Sequence, residues 1–297
     1  MTFEIFMQHL VNGISLGSLY ALIAIGYTMV YGILKLINFA HGDIFMMAAY
    51  FAFFGVATFG LPWYFAFIIA IAATGLLGVT IEFAAYRPLR SAPSISILIS
   101  AIGVSFLLEN LAVVLFGGRP KAFPTPKIFT NVINIGGVSI QNLSFIIPVV
   151  TIVFLFALLY LVNKTKVGMA MRAVSKDVDT AKLMGINVNR TISFTFCIGS
   201  MLAAVGAVLW SLKYPQIVAL MGMIPGLKCF IAAVIGGIGD IKGAVIGGFI
   251  LGIGEIMLVA FLPGLTGYRD AFAFVLLIVI LIFKPTGIMG KNLTEKV

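Results

Sequence analysis

Residues 163–190, NKTKVGMAMRAVSKDVDTAKLMGINVNR, separate two uninterrupted apolar runs and are the one long polar interruption with a helix pattern of its own. Lys164, Lys166, Arg172, Lys176, Lys182 and Arg190 outnumber Asp177 and Asp179 there, and an excess of Lys and Arg beside membrane spans marks the cytoplasmic side. The flanking runs therefore read as spans and the stretch as a cytosolic loop. Inside it, Val178, Ala181 and Gly185 fall at i, i+3 and i+7 on one face, and Asp179 and Lys182 lie together on another. Asp177 suits the N-cap, where a carboxylate accepts from the free amides of the first turn, and Gly185 suits the left-handed C-terminal position. The spacing predicts a short amphipathic helix, either a positive-inside anchor or a docking element for a soluble partner.

Outward from the loop, composition fixes the solvent. A chain of 297 residues with 61% hydrophobic and 10% charged residues and a mean hydropathy of +1.15 has too little polar surface to cover a water-soluble particle. The 32 glycines fit helices that approach one another closely in lipid. The net charge of +9 is spread between hydrophobic runs rather than along one face, so it reports topology and not nucleic-acid binding. Cys197 and Cys229 sit inside apolar runs without metal-ligand spacing and read as small core residues, with neither a disulfide nor a metal site inferred. The N-terminus has no Lys or Arg before its first apolar stretch and reads as a retained span rather than a signal peptide.

A crossing helix needs about 20 mainly apolar residues. Segments at 10–34, 38–59, 61–85, 94–116, 143–162, 191–212, 223–238, 243–262 and a last run ending near Phe283 give eight or nine spans, the seventh and the last being short. The expected fold is an all-α polytopic bundle, one transmembrane domain over residues 1–297. With nine spans, Lys35, Arg87, Arg90, the six loop cations, Lys242, Lys284, Lys291 and Lys296 fall inside, and Arg119, Lys121, Lys127, Lys213 and Arg269 outside. The N-terminus is then external. The outer loop 117–142, with Pro120, Pro124, Pro126, Gly136 and Gly137, reads as turns and a short hairpin.

Three polar or small-residue sets stand out. Glu109, Lys228 and Glu255 lie within spans, about 8–10 Å inward of the outer ends at 1.5 Å per residue. Intramembrane charges are costly and face protein or water, often with a partner. Lys228 is therefore expected to pair with Glu109 or Glu255, or the set recognises a passing zwitterion. Gly239, Gly243 and Gly247, beside Ala244, Gly248 and Gly252, form two small-residue ridges at four-residue spacing, suited to close packing within the chain or against a second subunit. Asn38, His41 and Asp43 form a polar entry to the second span, expected as a cap or hinge at the cytosolic boundary, with proton transfer as the rival role. No Gly-x-x-x-x-Gly-Lys-Ser/Thr occurs, so no ATP-hydrolysing P-loop is expected here. Nor do the residues suggest a catalytic constellation.

Asp179-Thr180-Ala181-x-x-x-Gly185 has the spacing of the Glu-Ala-Ala-x-x-x-Gly loop of ABC importer permeases, with Asp for Glu and Thr for the first Ala. With it stand Asn38-Phe39-Ala40-His41-Gly42-Asp43, Ala85-Tyr86-Arg87-Pro88-Leu89-Arg90, Ala232-Ala233-Val234-Ile235-Gly236-Gly237-Ile238-Gly239 and Pro285-Thr286-Gly287. In this order the chain resembles LivH-type permeases of branched-chain amino acid ABC importers. The resemblance implies a bacterial inner-membrane subunit with no cofactor of its own. It also implies a second homologous permease, two cytosolic ATPases that use ATP and Mg, and an external binding protein delivering leucine, isoleucine or valine. Asp177, Asp179, Thr180, Ala181 and Gly185 would then couple the ATPases to the spans. The rivals are a permease for urea or short amides, an ion-coupled secondary transporter titrating Asp43, Glu109 or Glu255, and a scaffold without transport.

Overall fold

In lipid every backbone N–H and C=O must find its partner within the protein, and helices do this locally. The computed structural model describes residues 2–135 and 138–290, and helix dominates them. Gly136 and Gly137, expected in turns, and Lys291 and Lys296, expected inside, lie outside the described residues. In order the chain forms α1 (Phe3–Leu34), α2 (His41–Ala57), α3 (Trp63–Ile81, continued by tighter and wider turns to Leu89) and α4 (Ser94–Phe116). An outer loop follows with β1 (Lys121–Ala122), the short α5 (Lys127–Thr130), β2 (Val132–Ile135) and β3 (Val138–Gln141). Then come α6 (Leu143–Lys164), α7 (Lys166–Lys176), α8 (Val178–Leu183), α9 (Val188–Lys213) and β4 (Gln216–Ile217). The chain continues with α10 (Met223–Gly236), α11 (Ile241–Phe261) and α12 (Arg269–Phe283), the last preceded by a 3₁₀ turn at Pro263–Tyr268. The expected outer hairpin is β2–β3, paired antiparallel, and β1 pairs with β4.

Seven helical stretches are long and apolar enough to cross a bilayer. Helices α2 and α10, with 17 and 14 residues, are shorter, and each is preceded by a non-helical segment packed inside the bundle. After α1, Lys35 turns the chain with φ +56°, its N–H bonded to Tyr31 O at 2.8 Å. Residues 36–40 then run back along α1, and α2 begins where His41 Nε2 donates to Ile23 O (3.3 Å), midway along the apolar part of α1. From the other side, residues 218–222 descend from the β1–β4 pair, and α10 begins against the start of α2. With these two, nine apolar helices among the described residues make up the bundle, at the upper end of the eight or nine expected, though seven alone are long enough to cross unaided. Gln8 Nε2 donates to Ser139 O in β3 (3.2 Å), so α1 starts on the face opposite α7 and α8, which the cation excess makes external.

The centre of the bundle is α1 packed against α11, α9 and α10. The small-residue ridges make this packing, and they make it within the chain. A Cβ on Gly243 or Gly247 would strike Gly236 or Ala232 of α10, and a Cβ on Gly248 would lie 2.5 Å from Ala21 N of α1. Gly252 meets Gly17 in the same way, and fully buried Ala244 extends that ridge. Gly239 departs from the expectation. It belongs to the turn before α11, with φ +97°, because Asp240 caps the helix by accepting from Gly243 N (2.9 Å) and so starts it beyond Gly239. The Pro285-Thr286-Gly287 motif closes α10 at its cytosolic end, where Ile288 N and Met289 N donate to Ile235 O and Gly236 O (2.9 and 2.8 Å). Cys229 is a buried core residue as expected, Cys197 is partly buried, and both thiols are free.

Gly248→Leu is expected to force α1 from α11 and destabilise the isolated chain by more than about 3 kcal/mol, beyond ordinary overpacking. Thermal unfolding in detergent, compared with Gly103→Leu at a position with open space around it, measures the difference.

Candidate functional site

The helix starts of α2 and α10 meet backbone to backbone. A Cβ on Gly42 would lie 2.5 Å from Gly222 O, and one on Gly226 would lie 2.8 Å from Gly42 Cα. A cavity of about 210 Å³ opens beside this contact, walled by the two starts, by Tyr27 of α1 and by the Ile102, Ser105, Phe106 and Glu109 face of α4. Asp43 stands in the wall, buried, and accepts from Ser105 Oγ through Oδ2. Asn38, His41 and Asp43 thus differ from the expected cytosolic cap or hinge. Ala40 occupies the N-cap and no side chain caps α2. All three are buried: Asn38 Oδ1 accepts from Tyr86 OH (2.7 Å), and His41 binds the α1 backbone. The reason is depth, since residues 36–40 carry the chain back to mid-membrane before the helix begins.

Toward the outer face lies an ion network. Lys228 Nζ is 2.9 Å from Glu255 Oε1 and 2.7 Å from Asp270 Oδ1, and Arg269 Nε is 2.9 Å from Glu255 Oε2. Tyr20 OH donates to Glu255 Oε2 at 3.1 Å. Lys228 is 4% exposed and Glu255 0%, so both charges are held by protein partners. Lys228, Arg269 and Asp270 also line an outer cavity of about 330 Å³ with Tyr20, Trp210 and Tyr214. Of the two partners expected for Lys228, Glu255 is the one it meets and Glu109 is not. Glu109 shares their depth but sits on α4, which packs against α2, and it faces the other cavity. Arg269 was read only as an outer cation and Asp270 was not singled out, because the span end concealed that they reach inward.

On the cytosolic side α8 has the predicted ends. Asp177 Oδ1 accepts from Asp179 N and Thr180 N (2.9 and 3.2 Å), and Thr180 Oγ1 donates to Oδ2. The Thr180 hydroxyl, then the Thr180 and Asp179 amides, hold the Asp177 carboxyl below the usual carboxylate range. Gly185 has φ +80°, and Gly185 N and Ile186 N donate to Lys182 O and Ala181 O (both 3.0 Å), the paired bonds of a Schellman ending. Ala181 points into the protein, Asp179 and Lys182 pair at 3.0 Å, and Leu183 and Met184 are 88% and 77% exposed. Those two apolar residues were absent from the sequence reading. Their signal is a Leu-Met pair at the polar end of a cytosolic helix.

Behind α8, Glu82 is fully buried at the cytosolic end of α3. It pairs with Arg90 and with Arg87 (3.2 Å) and accepts from Ser193 Oγ of α9 (2.6 Å). Tyr86, four residues on, is the residue that holds Asn38. Glu82 was also missed, although its single carboxylate inside an apolar run carries the same mark as Glu109 and Glu255. A cytosolic cavity of about 650 Å³ lies between this cluster, the end of α1 and α8. Among the described residues no group of His, Cys, Asp and Glu has metal-binding geometry.

Seven helices long and apolar enough to cross, two shorter ones that start inside the bundle, cavities toward both faces and an exposed cytosolic helix define a multi-pass membrane permease fold. The chain belongs to the family described as branched-chain amino acid transport system / permease component, whose model matches residues 9–281. It is 44% identical to the high-affinity branched-chain amino acid transport system permease protein BraD of Pseudomonas aeruginosa, over 98% of each chain. It is 42% identical to the corresponding protein LivH of Escherichia coli K12, over 99% of each. The solved structure of PsaBC from Streptococcus pneumoniae in complex with Fab superposes with a TM-score of 0.51 at 16% identity, covering 96% of this chain and 94% of that one. That likeness concerns the fold alone.

Lys228→Met is expected to cost about 3–5 kcal/mol, because it strips a buried carboxylate of one partner. Thermal stability in detergent should show coupling in the Lys228/Glu255 double-mutant cycle and additivity in the Lys228/Glu109 cycle.

Proposed function

We propose that this chain is the membrane-spanning permease subunit of an ABC importer for leucine, isoleucine and valine in the bacterial cytoplasmic membrane. The family and the names of its full-length relatives support the substrate class. In this reading a second permease completes the path, an external binding protein delivers the amino acid, and two cytosolic ATPases supply the work with ATP and Mg. The chain carries out no covalent chemistry and needs no cofactor of its own.

The observation that carries the coupling role is the exposure of Leu183 and Met184 at the rigid end of α8. A six-residue helix capped at both ends, by Asp177 and by the turn at Gly185, holds its shape without an apolar core of its own. Two large apolar side chains left in water at its tip fit a hydrophobic groove on a partner. Its base is tied to the spans through Ala181 and through the Ser193–Glu82 bond at the start of α9. Movement of a docked ATPase would therefore reach α3 and α9 directly.

The test is reconstitution in proteoliposomes with the partner subunits, measuring co-purification of the ATPases and ATP-driven uptake of leucine, isoleucine and valine beside urea. Leu183→Asp should insert normally, because the site is exposed, yet lose ATPase co-purification and at least about ten-fold of uptake, the effect of truncating an interface anchor. Gly185→Val should weaken coupling more than Gly185→Asn, since Asn tolerates the left-handed conformation and Val does not. Wild-type uptake by Leu183→Asp would remove α8 from the coupling mechanism, and urea transported in preference to leucine would overturn the substrate class.

A further inference from the structure

The start of a helix carries unpaired N–H groups and a partial positive charge, and placing one at mid-membrane is costly unless something there uses it. Here two such starts, from helices running in opposite directions, converge on one cavity. The amides of Gly42 and Gly222, both in its wall, have no hydrogen-bond acceptor among the described residues. Directly beside them is Asp43, 2% exposed, whose hydrogen-bond partner is the Ser105 hydroxyl and with which no described Lys, Arg or His forms an ion pair. Glu255, Asp270 and Glu82 each have a cation, so among the described residues Asp43 is the buried carboxylate that lacks one. Glu109, one turn beyond Ser105 on α4, adds a second carboxylate to the same wall.

Donors and acceptors are thus both present in a cavity otherwise lined by Phe39, Ile102, Phe230 and their apolar neighbours. A metal ion would meet the acids but not the helix starts, and an anion would meet the helix starts but not the acids. A zwitterion with an apolar tail meets both. The volume, about 210 Å³, is below the roughly 300–1,000 Å³ of sites for drug-sized ligands and suits a single small molecule. Broken helices in unrelated transporters direct their N-termini at anionic substrate groups for the same electrostatic reason.

We propose that the cavity between the starts of α2 and α10 is a recognition subsite for the α-amino-acid end of the cargo. Asp43, assisted by Glu109, receives the ammonium group, and the amides at Gly42 and Gly222 receive the carboxylate. The side chain of the amino acid lies against Phe39, Ile102 and Phe230. This inference rests on the transport reading above and names the residues that would select its substrate. The outer network of Lys228, Glu255, Arg269 and Asp270 lines a cavity of its own, but its two cations and two carboxylates already pair with one another.

The test uses the chain co-purified with its partner subunits. Thermal protection by leucine is compared with protection by 4-methylpentanoate, which lacks the amine, and by 3-methylbutylamine, which lacks the carboxylate. Leucine uptake is measured in proteoliposomes of the same preparation. Wild-type protein should be protected by leucine and by neither analogue. Asp43→Asn and Glu109→Gln should lose that protection and reduce uptake by about 10–100-fold, the worth of a hydrogen bond to a charged group, while Asp43→Glu should regain part of both. A purely structural role for Asp43 would leave discrimination between leucine and its analogues intact in whatever protein folds. If Asp43→Asn does not fold, Glu109→Gln at its partly exposed position carries the test. Leucine uptake in the wild type with undiminished protection and uptake in both variants overturns this subsite alone. Absence of leucine uptake in the wild type overturns the transport reading and the subsite with it.

Discussion

The constraint from which the arrangement follows is that lipid offers a backbone amide nothing to bond to. An unbroken helix meets it without help, and seven stretches of this chain do so. Helices α2 and α10 begin in mid-membrane, where their first turns can be tolerated only against other protein. The bundle answers with glycine. Gly42, Gly222 and Gly226 let the two starts touch without intervening side chains, and Gly26 makes room for the His41 ring that anchors one of them to α1. The Gly17/Gly252 and Gly248/Ala21 contacts bring α11 close enough to α1 for the rest of the bundle to close around both.

Two polar chains of contact lead from this centre toward the cytosol. One runs from the start of α9 through Ser193 to Glu82, Arg87 and Arg90, and the other from Tyr86 to Asn38 just before α2. Since Glu82 and Tyr86 occupy the same irregular turn at the end of α3, a displacement at the cytosolic helices has a short route to the segment preceding Asp43. Hydrogen bonds between buried groups suit such transmission, because breaking one without replacing it is costly. Apolar contacts can slide at little expense.

What the sequence discloses here is local chemistry, and what it conceals is depth and neighbourhood. Both ends of α8 were legible because a cap and a left-handed turn need particular residues, Asp177 and Gly185, at fixed offsets. The glycine ridges were legible because four-residue spacing on a helix is itself a geometric statement. The start of α2 was not, since Asn38, His41 and Asp43 look the same at a membrane boundary as at mid-membrane, and only the course of residues 36–40 distinguishes the two. Glu109 and Glu255 stood as alternative partners of Lys228 on shared depth, and depth along a span does not tell which helices are adjacent across the bundle. Gly239 was assigned to a ridge by spacing that continued past the place where Asp240 starts the helix. Leu183 and Met184 were passed over because an apolar pair in a nearly all-apolar chain draws notice only once its surroundings are known to be water.

The C-terminal clasp gives this architecture a timetable. The carbonyl groups of Ile235 and Gly236 at the end of α10 are bonded by Ile288 and Met289, which the ribosome adds only after α11 and α12 have been made. Until then α10 is a fourteen-residue helix lacking part of its cytosolic closure, with its other end resting on a segment synthesised long before. Insertion into the bilayer can proceed span by span during translation, but the cytosolic end of α10 closes only once Ile288 and Met289 have been added. A nascent chain stalled before Ile288 therefore holds every long apolar helix while the last carbonyls of α10 still lack these two donors.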